Sequence, residues 1–374
     1  MKQRIVRIHD LVGLLNALYP PALAEGWDNV GLQVGDPRAQ VSKVLVCLDA
    51  SEQALQAALD RGAEALLCHH PLIFKPLHNL TPGDETGRIL FAAVQQGITI
   101  IAAHTNLDRA ANGLNDWLAA TLGIGECLPL LGGDDPLVKL IVYVPAGYEG
   151  QVSDALFKAG AGQIGNYDSC SFRSEGIGTF RANDGCSPFV GRVGERSSVR
   201  ELRLETVVPQ GLLNRVVERM VRAHPYEEVA YDLVPLANRR KEVGLGRIGR
   251  LAQATTLEAF ATRVKESLHI DALRVVGNGQ SSVTKVAVCG GSGASLLKEA
   301  ARQGADVLVT GDVKYHEARN AASLGLALID AGHFATERLM AGHLAEVMGQ
   351  AAAARGLNIE FLEMKGEKDP FETV

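Results

Sequence analysis

The sequence predicts an α/β protein with two related lobes, largely parallel sheets and an inserted α+β segment. Three observations support this fold class: a repeat between the two ends of the chain, short apolar runs that alternate with Ala/Leu-rich stretches, and a middle segment of different texture. Of the 374 residues, 47% are hydrophobic and 21% are charged. This globular composition excludes wholesale disorder, collagen and coiled coil.

The repeat aligns residues 44–70 with residues 286–312 without a gap, with 8 identities in 27 positions. Each copy begins with an apolar, β-branched run, continues through a helical stretch that ends at Gly62 or Gly304, and closes with a second apolar run. Glycine is a common helix terminator. Each copy therefore predicts a βαβ unit with parallel strands and a right-handed crossover.

The match resumes further along, where an apolar strand in each half runs into a His-x3-acid pattern. His104 corresponds to His333, and Asp108 corresponds to Glu337. We therefore expect an N-terminal lobe over residues 1–130 and a C-terminal lobe over residues 239–374 that completes the same domain.

The segment between the lobes, residues 131–238, predicts a strand at 137–145, a helix at 151–159, strands near 169–181 and 199–208, a helix at 211–223 and a strand at 229–236. The order βαββαβ is the ferredoxin-like split βαβ, which is able to fold alone in about 100 residues. The segment is therefore expected to be an inserted domain.

Candidate metal ligands follow the predicted strands at equivalent places of the two lobes. They are His69, His70, Asp108, His333 and Glu337. In open α/β sheets, ligands bind at the carboxyl ends of the strands. Imidazole and carboxylate in this mixture suit Zn, Fe(II) or Mn. The competing interpretation is a hydrogen-bonded strand-end pair with helix-capping acids, but matching half-motifs in a repeat favour metal.

Five ligands are too many for one catalytic ion with an open position and too few to saturate two ions. Two divalent ions bridged by one carboxylate are therefore expected. Such a pair lowers the pKa of a shared water and polarises a substrate oxygen.

Other polar residues near the predicted strand ends have open roles. His104 is a candidate catalytic residue for proton transfer, with a ligand, a ligand-orienting or a purely structural role as alternatives. Asp312 and Lys314 would orient water or an anionic substrate, or simply begin a helix. His224 is of a residue type that binds metals, but Pro225 directly after it favours a helix end and turn over a ligand.

Three Gly-rich segments are candidate ligand-binding loops. GLGRIG (244–249) does not lie between a strand and a helix, as a dinucleotide site requires. CGGSGAS (289–295) favours a tight turn over a phosphate cradle. GWDNVGLQVGD (26–36) is a candidate for lining the crevice.

The motifs GWDNVGLQVGD, LLCHHPLIF, AAHTNLD, GLGRIG, VLVTGDVKYHEA, DAGHFATE and DPF together resemble the Nif-three-like dinuclear metal family. Its members are often labelled GTP cyclohydrolase I type 2 homologues, and the middle segment looks like the PII-like/CutA-like insertion of longer bacterial members. The resemblance implies a toroidal homohexamer. It also implies one ion on His69, His333 and Glu337, and another on His70, Asp108 and Glu337.

The function predicted is that of a metal-dependent hydrolase acting on a nucleotide or similar small molecule, with GTP cyclohydrolase activity implied by the family label alone. The alternative is a metal store, chaperone or sensor whose insertion binds a ligand or partner.

The net charge of −6 disfavours nucleic acid as a partner. No apolar run reaches the ~18 residues of a spanning helix, Asp10 interrupts any signal-peptide core, and the six cysteines lack CxxC spacing. We therefore expect a cytoplasmic protein.

Overall fold

Two compact units make up the chain in the computed structural model, which describes residues 5–132, 136–165 and 167–372. One unit comprises the described residues up to 132 and from 241 onward, and the other lies between them. None of the described helices is long and apolar enough to cross a membrane.

In its described residues, the first part of the larger unit contains five strands, five α-helices and a short 3-10 helix at Pro21–Leu23. The strands are β1 Gly31–Val34, β2 Lys43–Asp49, β3 Ala65–His70, β4 Thr99–Ala102 and β5 Ile124–Gly132, and the α-helices are α1 Ile8–Leu18, α2 Glu52–Arg61, α3 Glu85–Gln96, α4 Thr105–Arg109 and α5 Leu114–Thr121.

Where the structure describes it, the inserted unit contains four strands, two α-helices and a short 3-10 helix at Gln210–Leu212. The strands and α-helices are, in chain order, β6 Pro136–Pro145, α6 Glu149–Lys158, β7 Phe172–Arg181, β8 Arg196–Pro209, α7 Leu213–Ala223 and β9 Tyr231–Arg239.

The last part of the chain returns to the larger unit. Its elements are β10 Gly244–Thr256, α8 Leu257–Ser267, β11 Arg274–Val276, β12 Ser282–Val288, α9 Leu297–Arg302, β13 Val307–Thr310, α10 Tyr315–Ser323, β14 Ala327–Asp330, α11 His333–Glu337, α12 Met340–Ala354 and β15 Glu360–Glu363.

The repeat forms two matching βαβ units, as predicted. Strand β2 pairs in parallel with β3, and β12 pairs in parallel with β13. The glycines that end the two helical stretches, Gly62 and Gly304, have φ of 64° and 71°. A side chain would be strained in this left-handed conformation, which explains glycine at both positions.

Each lobe is built on one sheet. The first has the order β1-β4-β3-β2-β15, and of its described strand pairs only β1–β4 is antiparallel. The second has the order β11-β14-β13-β12-β10-β5, with parallel pairing among β12, β13 and β14 and antiparallel pairing of β11, β10 and β5 with their neighbours. Strand β5 belongs to the second sheet although it precedes the insertion, and β15, which follows α12, belongs to the first. The two lobes therefore exchange terminal strands, and the α/β fold class is confirmed.

The inserted unit forms the predicted βαββαβ arrangement. Its sheet has the order β7-β8-β6-β9 with antiparallel neighbours throughout. Leu140 and Val142 of β6 and Leu204 of β8 are fully buried against Leu156 of α6 and Val216 of α7. Because strand side chains alternate between faces, the neighbouring residues lie on the opposite face of this sheet.

Candidate metal centre

The predicted ligands lie where parallel strands end. His69 and His70 are the last two residues of β3, and short helices that follow β4 and β14 carry the other three. His333 begins α11 and Glu337 ends it, a spacing of four that places both on one helix face. The two lobes thus present their strand ends to a common cluster, as the repeat predicts.

The five side chains meet around one carboxylate. Oε2 of Glu337 lies 3.0 Å from Nε2 of His70 and 2.9 Å from Nε2 of His333. Oε1 of Glu337 lies 3.8 Å from Nε2 of His69, which is 3.5 Å from Oδ1 of Asp108. Glu337 is thus placed as a bridge between two pairs of side chains.

The Nδ1 atom of each of these imidazoles is held by an oxygen acceptor. The Nδ1–H of His69 donates to the Ala103 carbonyl over 2.8 Å, and that of His70 donates to Asp49 over 2.8 Å. The Nδ1–H of His333 donates to Asp312 over 2.7 Å. Such bonds fix the ring orientation and leave Nε2 for a metal, the usual arrangement around metal-binding histidines.

Unpaired polar atoms at the cluster fit a divalent ion. Within the described part of the chain, four buried side-chain polar atoms have no hydrogen-bond partner, and two of them are Nε2 of His69 and Oδ1 of Asp108. His69 is fully buried, and the Glu337 side chain is only 5% exposed. Orphaned buried groups are costly. An ion bound between them would remove that cost, and the groups around Glu337 are ones that could hold a metal ion.

The distances divide the ligands differently from the family resemblance. They place His69, whose Nε2 lies 3.5 Å from Asp108, beside one oxygen of Glu337, and His70 and His333 beside the other. Nε2 of His333 lies 3.3 Å from Nε2 of His70. The sets implied by the resemblance, His69 with His333 and His70 with Asp108, group these side chains differently and stay predictions.

The carboxylates around His70 and His333 favour the protonated form of these two imidazoles. Burial opposes charge on His70, but hydrogen bonds to Asp49 and Glu337 outweigh it and raise its pKa to about 10. The hydrogen bond to Glu337 raises the pKa of His333 to about 9. Burial raises the pKa of Asp108 to about 7, whereas bonds from the histidines hold the pKa of Glu337 well below its usual range despite burial.

His104 lies beside the cluster with its own carboxylate partner. Its Nδ1–H donates to Asp28 over 2.9 Å, and its ring centre lies 5.2 Å from that of His69. Asp28 also accepts from the backbone N–H and the hydroxyl of Thr105. Burial raises the pKa of Asp28, but these hydrogen bonds prevail and lower it to about 2. The aspartate therefore stays ionised and orients the imidazole.

The CGGSGAS loop makes room for the bridging carboxylate. A Cβ atom on Gly291 would lie 2.2 Å from Oε1 of Glu337. The amides of Gly290, Gly291 and Gly293 donate to side-chain oxygens of the protein. These amides are therefore not free to hold a phosphate, which confirms the prediction of a tight turn.

The GLGRIG motif has a structural role. It lies inside β10, and its Arg247 is 2% exposed. The guanidinium makes two bonds to Asp116, 2.6 and 2.7 Å long, and also donates to the carbonyls of Ala110, Gly244 and Gly246. This network ties α5 and the end of α4, which carries Asp108, to the second sheet.

The structure gives a different role to each of the remaining candidate residues, Asp312, Lys314 and His224. Asp312 orients His333 and has a left-handed φ of 55°. Lys314 is exposed and precedes α10, where Glu317 accepts from its backbone N–H. His224 caps the end of α7, accepts from the backbone N–H of Tyr226 and donates to the carbonyl of Tyr143, which confirms the helix-end interpretation.

The sequence analysis does not predict Asp49 as a residue of the site, and it does not predict that Asp28 orients His104. Asp49 ends β2, so the strand-end rule that selected the histidines would also have found it. Asp28 lies in an irregular loop, and no local pattern connects it to His104, 76 residues away.

The sequence profile of the Duf34/NIF3 (NGG1p interacting factor 3) family matches residues 6–370. The chain belongs to this family. Two relatives named "GTP cyclohydrolase 1 type 2 homolog" are similar over nearly their whole length. The Halalkalibacterium halodurans protein is 41% identical over 98% of this chain and 99% of its own, and the Bacillus subtilis protein is 41% identical over 96% and 97%.

A crystal structure of a Bacillus cereus protein related to NIF3 has the same fold. The two structures superpose over 100% of both chains with a TM-score of 0.88, and the two sequences are 40% identical. The Duf34/NIF3 fold is therefore shared over the full length of the protein.

Proposed function

We propose that this Duf34/NIF3 protein binds two divalent ions and hydrolyses a nucleotide or a similar small molecule. The observation that carries the proposal is the geometry at Glu337, whose two carboxylate oxygens each face a separate pair of ligand side chains. His69 and Asp108 would hold one ion and His70 and His333 the other, with Glu337 shared. The nitrogen and oxygen ligands suit Zn, Fe or Mn.

A bound pair of divalent ions would act as a Lewis acid and lower the pKa of a coordinated water. The protein's own contribution to proton transfer is His104. Asp28 holds its Nδ1 proton, and a ring nitrogen of His104 lies within 4.8 Å of ring nitrogens of His69 and His70. His104 is therefore oriented to accept or donate a proton at the cluster.

Exposed aromatic rings beside His104 support a flat substrate. Trp27 is 60% exposed and Phe74 is 45% exposed, yet their rings lie 5.7 Å apart and 6.1 and 6.3 Å from the ring of His104. Exposed aromatic side chains of this kind stack on nucleobases. The names of the relatives point to GTP as the first nucleotide to test, with opening of its imidazole ring and release of formate as the reaction.

The metal content per chain decides the first half of the proposal. Protein purified without chelator or affinity metal is compared by mass spectrometry with the His70→Ala variant. We expect about two equivalents in the wild type and a sharp fall in the variant, with His9→Ala, at an exposed histidine of α1, as the control. No metal after reconstitution would mean that the five residues are structural.

Turnover decides the second half. Glu337→Gln is expected to abolish formate release from GTP, whereas Asp28→Asn and His104→Ala keep their metal and lose rate. An unchanged rate in Glu337→Gln would refute hydrolysis at this site. Two exchangeable ions without turnover of any nucleotide would instead favour the metal store, chaperone or sensor.

The family resemblance also supports a cytoplasmic homohexamer with a PII-like insertion. Light scattering on the full chain measures the assembly directly. A monomer or dimer at micromolar concentration would contradict the hexamer.

A further inference from the structure

The inserted unit has a cavity that the proposed metal chemistry does not use. It encloses about 550 Å³ on the sheet face opposite α6 and α7. This volume lies in the range of small-molecule sites. Strand β7 forms its floor. The segment between β7 and β8, residues 182–195, and the segment between α7 and β9, residues 224–230, contribute to its walls.

Glycines on β7 keep the cavity open. Gly176 and Gly178 lie on the face shared with Glu201, since Gly176 is paired with Glu201 across the two strands. A Cβ at Gly178 would lie 2.0 Å from Oε2 of Glu201, whereas a Cβ at Gly176 would meet no atom within 4 Å. Gly178 therefore makes room for the carboxylate, and Gly176 leaves the floor empty.

Three aromatic rings from different segments meet at this cavity. The ring of Tyr226 lies 6.4 Å from that of Phe180 and 6.0 Å from that of Phe189, with interplanar angles of 56° and 49°. These tilted rings do not form the parallel pair that sandwiches a flat base. They form part of a cage, the arrangement that binds organic cations through the negative faces of the rings.

Charge around the cavity has the sign that a cation requires. Of the described residues that line it, four are glutamates and two are arginines. Of these groups, Arg203 is paired with Glu205 and Glu175 is paired with Arg200, which leaves Glu201, Glu227 and Glu228 against Arg181. Glu201 accepts from the Tyr226 hydroxyl over 2.9 Å, and Glu227 accepts from the backbone N–H of Ser187, which fastens the covering segment.

Tyr226 keeps its proton in this environment. Burial raises the pKa of the phenol, and the hydrogen bond to Glu201 raises it further. The Tyr226 hydroxyl is therefore the donor of this hydrogen bond, and the Glu201 carboxylate is the acceptor.

We propose that this cavity is a second ligand site, which binds a small organic cation such as a quaternary ammonium between the rings of Phe180, Phe189 and Tyr226 and the carboxylate of Glu201. The site is independent of the metal centre, because every residue that lines it belongs to the inserted unit.

Calorimetry on the full-length protein tests the proposal with choline, its uncharged isostere 3,3-dimethylbutan-1-ol, and ATP as probes. We expect choline to bind once per chain and the isostere to bind at least tenfold more weakly, since the charge supplies the attraction. Equal binding of the two compounds, or no saturable binding of choline, would overturn the proposal.

Three variants locate the site. Glu201→Gln keeps an oxygen for the Tyr226 hydroxyl and removes the charge, and is expected to weaken choline binding about tenfold or more. Phe189→Ala removes one wall, with the exposed Phe172→Ala as its control. Gly176→Leu fills the floor and is expected to abolish binding, while metal content stays unchanged in every variant.

Two results would refute the assignment. Choline binding that survives both Phe189→Ala and Glu201→Gln would place the cation elsewhere. Saturable ATP binding that Gly176→Leu abolishes, without choline binding, would make the cavity a nucleotide site. Phe189 is 48% exposed, so its variant tests the cage even where Gly176→Leu fails to fold.

Discussion

Substitution of Gly291 by alanine should separate the metal centre from the fold around it. Gly291 has a φ of 60°, and its missing side chain leaves space for the bridging carboxylate of Glu337. The new Cβ would lie 2.2 Å from Oε1, a contact that would have to lengthen to at least 3.0 Å. The carboxylate would move by several times the ~0.2 Å tolerance of metal–ligand distances.

Backbone strain must be distinguished from this displacement. An alanine in the left-handed region costs about 1–2 kcal/mol wherever it lies. Gly62 is a matched control, because it has a φ of 64° and a Cβ there would meet nothing within 4 Å. Both variants should lose this backbone-strain term, and Gly291→Ala should lose about 1–3 kcal/mol more because its Cβ also displaces Glu337. The free energy of unfolding in urea with metal removed measures both losses.

Metal content then distinguishes the two variants. We expect Gly62→Ala to keep the full complement of about two ions and Gly291→Ala to lose most of it, because only the latter moves Glu337. Mass spectrometry on both proteins, prepared side by side, gives the answer. Equal metal content in the two variants would refute the role of Glu337 as the bridge, and with it the division of ligands between its two oxygens.

Three further predictions follow from the same contacts. Arg247→Met leaves Asp116 without its buried partner and should lower the free energy of unfolding by about 3–5 kcal/mol. If urea unfolding shows a loss of less than ~1 kcal/mol, the Arg247 network does not stabilise the fold as proposed. Asp49→Ala removes the oxygen that orients His70 and should weaken metal binding about 10–100-fold in competition with a chelating dye, and unchanged affinity would show that the bond is dispensable. Metal uptake at pH 7 should release protons, because the pKa values of His70 and His333 are raised to about 10 and about 9 and an ion binds only the neutral rings. Affinity should therefore rise with pH through neutrality, and calorimetric heats that do not depend on the buffer's ionisation enthalpy would exclude the release.

The repeat carried most of the fold prediction. Apolar runs around Cys47 and Cys289, each followed by a helix that ends at a glycine, are local signals, and parallel βαβ units follow from them by topology alone. The strand-end rule then selected residues of both lobes for one edge, since parallel strands finish on the same side of a sheet.

Local sequence signals do not predict which sheet β5 and β15 join. Both strands pair across lobe boundaries, β5 with β10 and β15 with β2. Hydrogen bonding between strands far apart in the chain leaves no periodicity in either one. The sequence analysis predicts neither strand, and only packing decides which sheet receives each one.

For the candidate metal centre, too, the sequence determined one part and the tertiary structure another. The residue types and their spacing determined that His69, His70, Asp108, His333 and Glu337 would gather where strands end, because that depends on local elements and their order. The tertiary structure alone decided which oxygen of Glu337 each one faces and which acceptor holds each imidazole. His70 and Glu337 are 267 residues apart. Contacts of that range depend on how two lobes pack to within about 1 Å, a scale set by close packing of the whole core rather than by any local pattern.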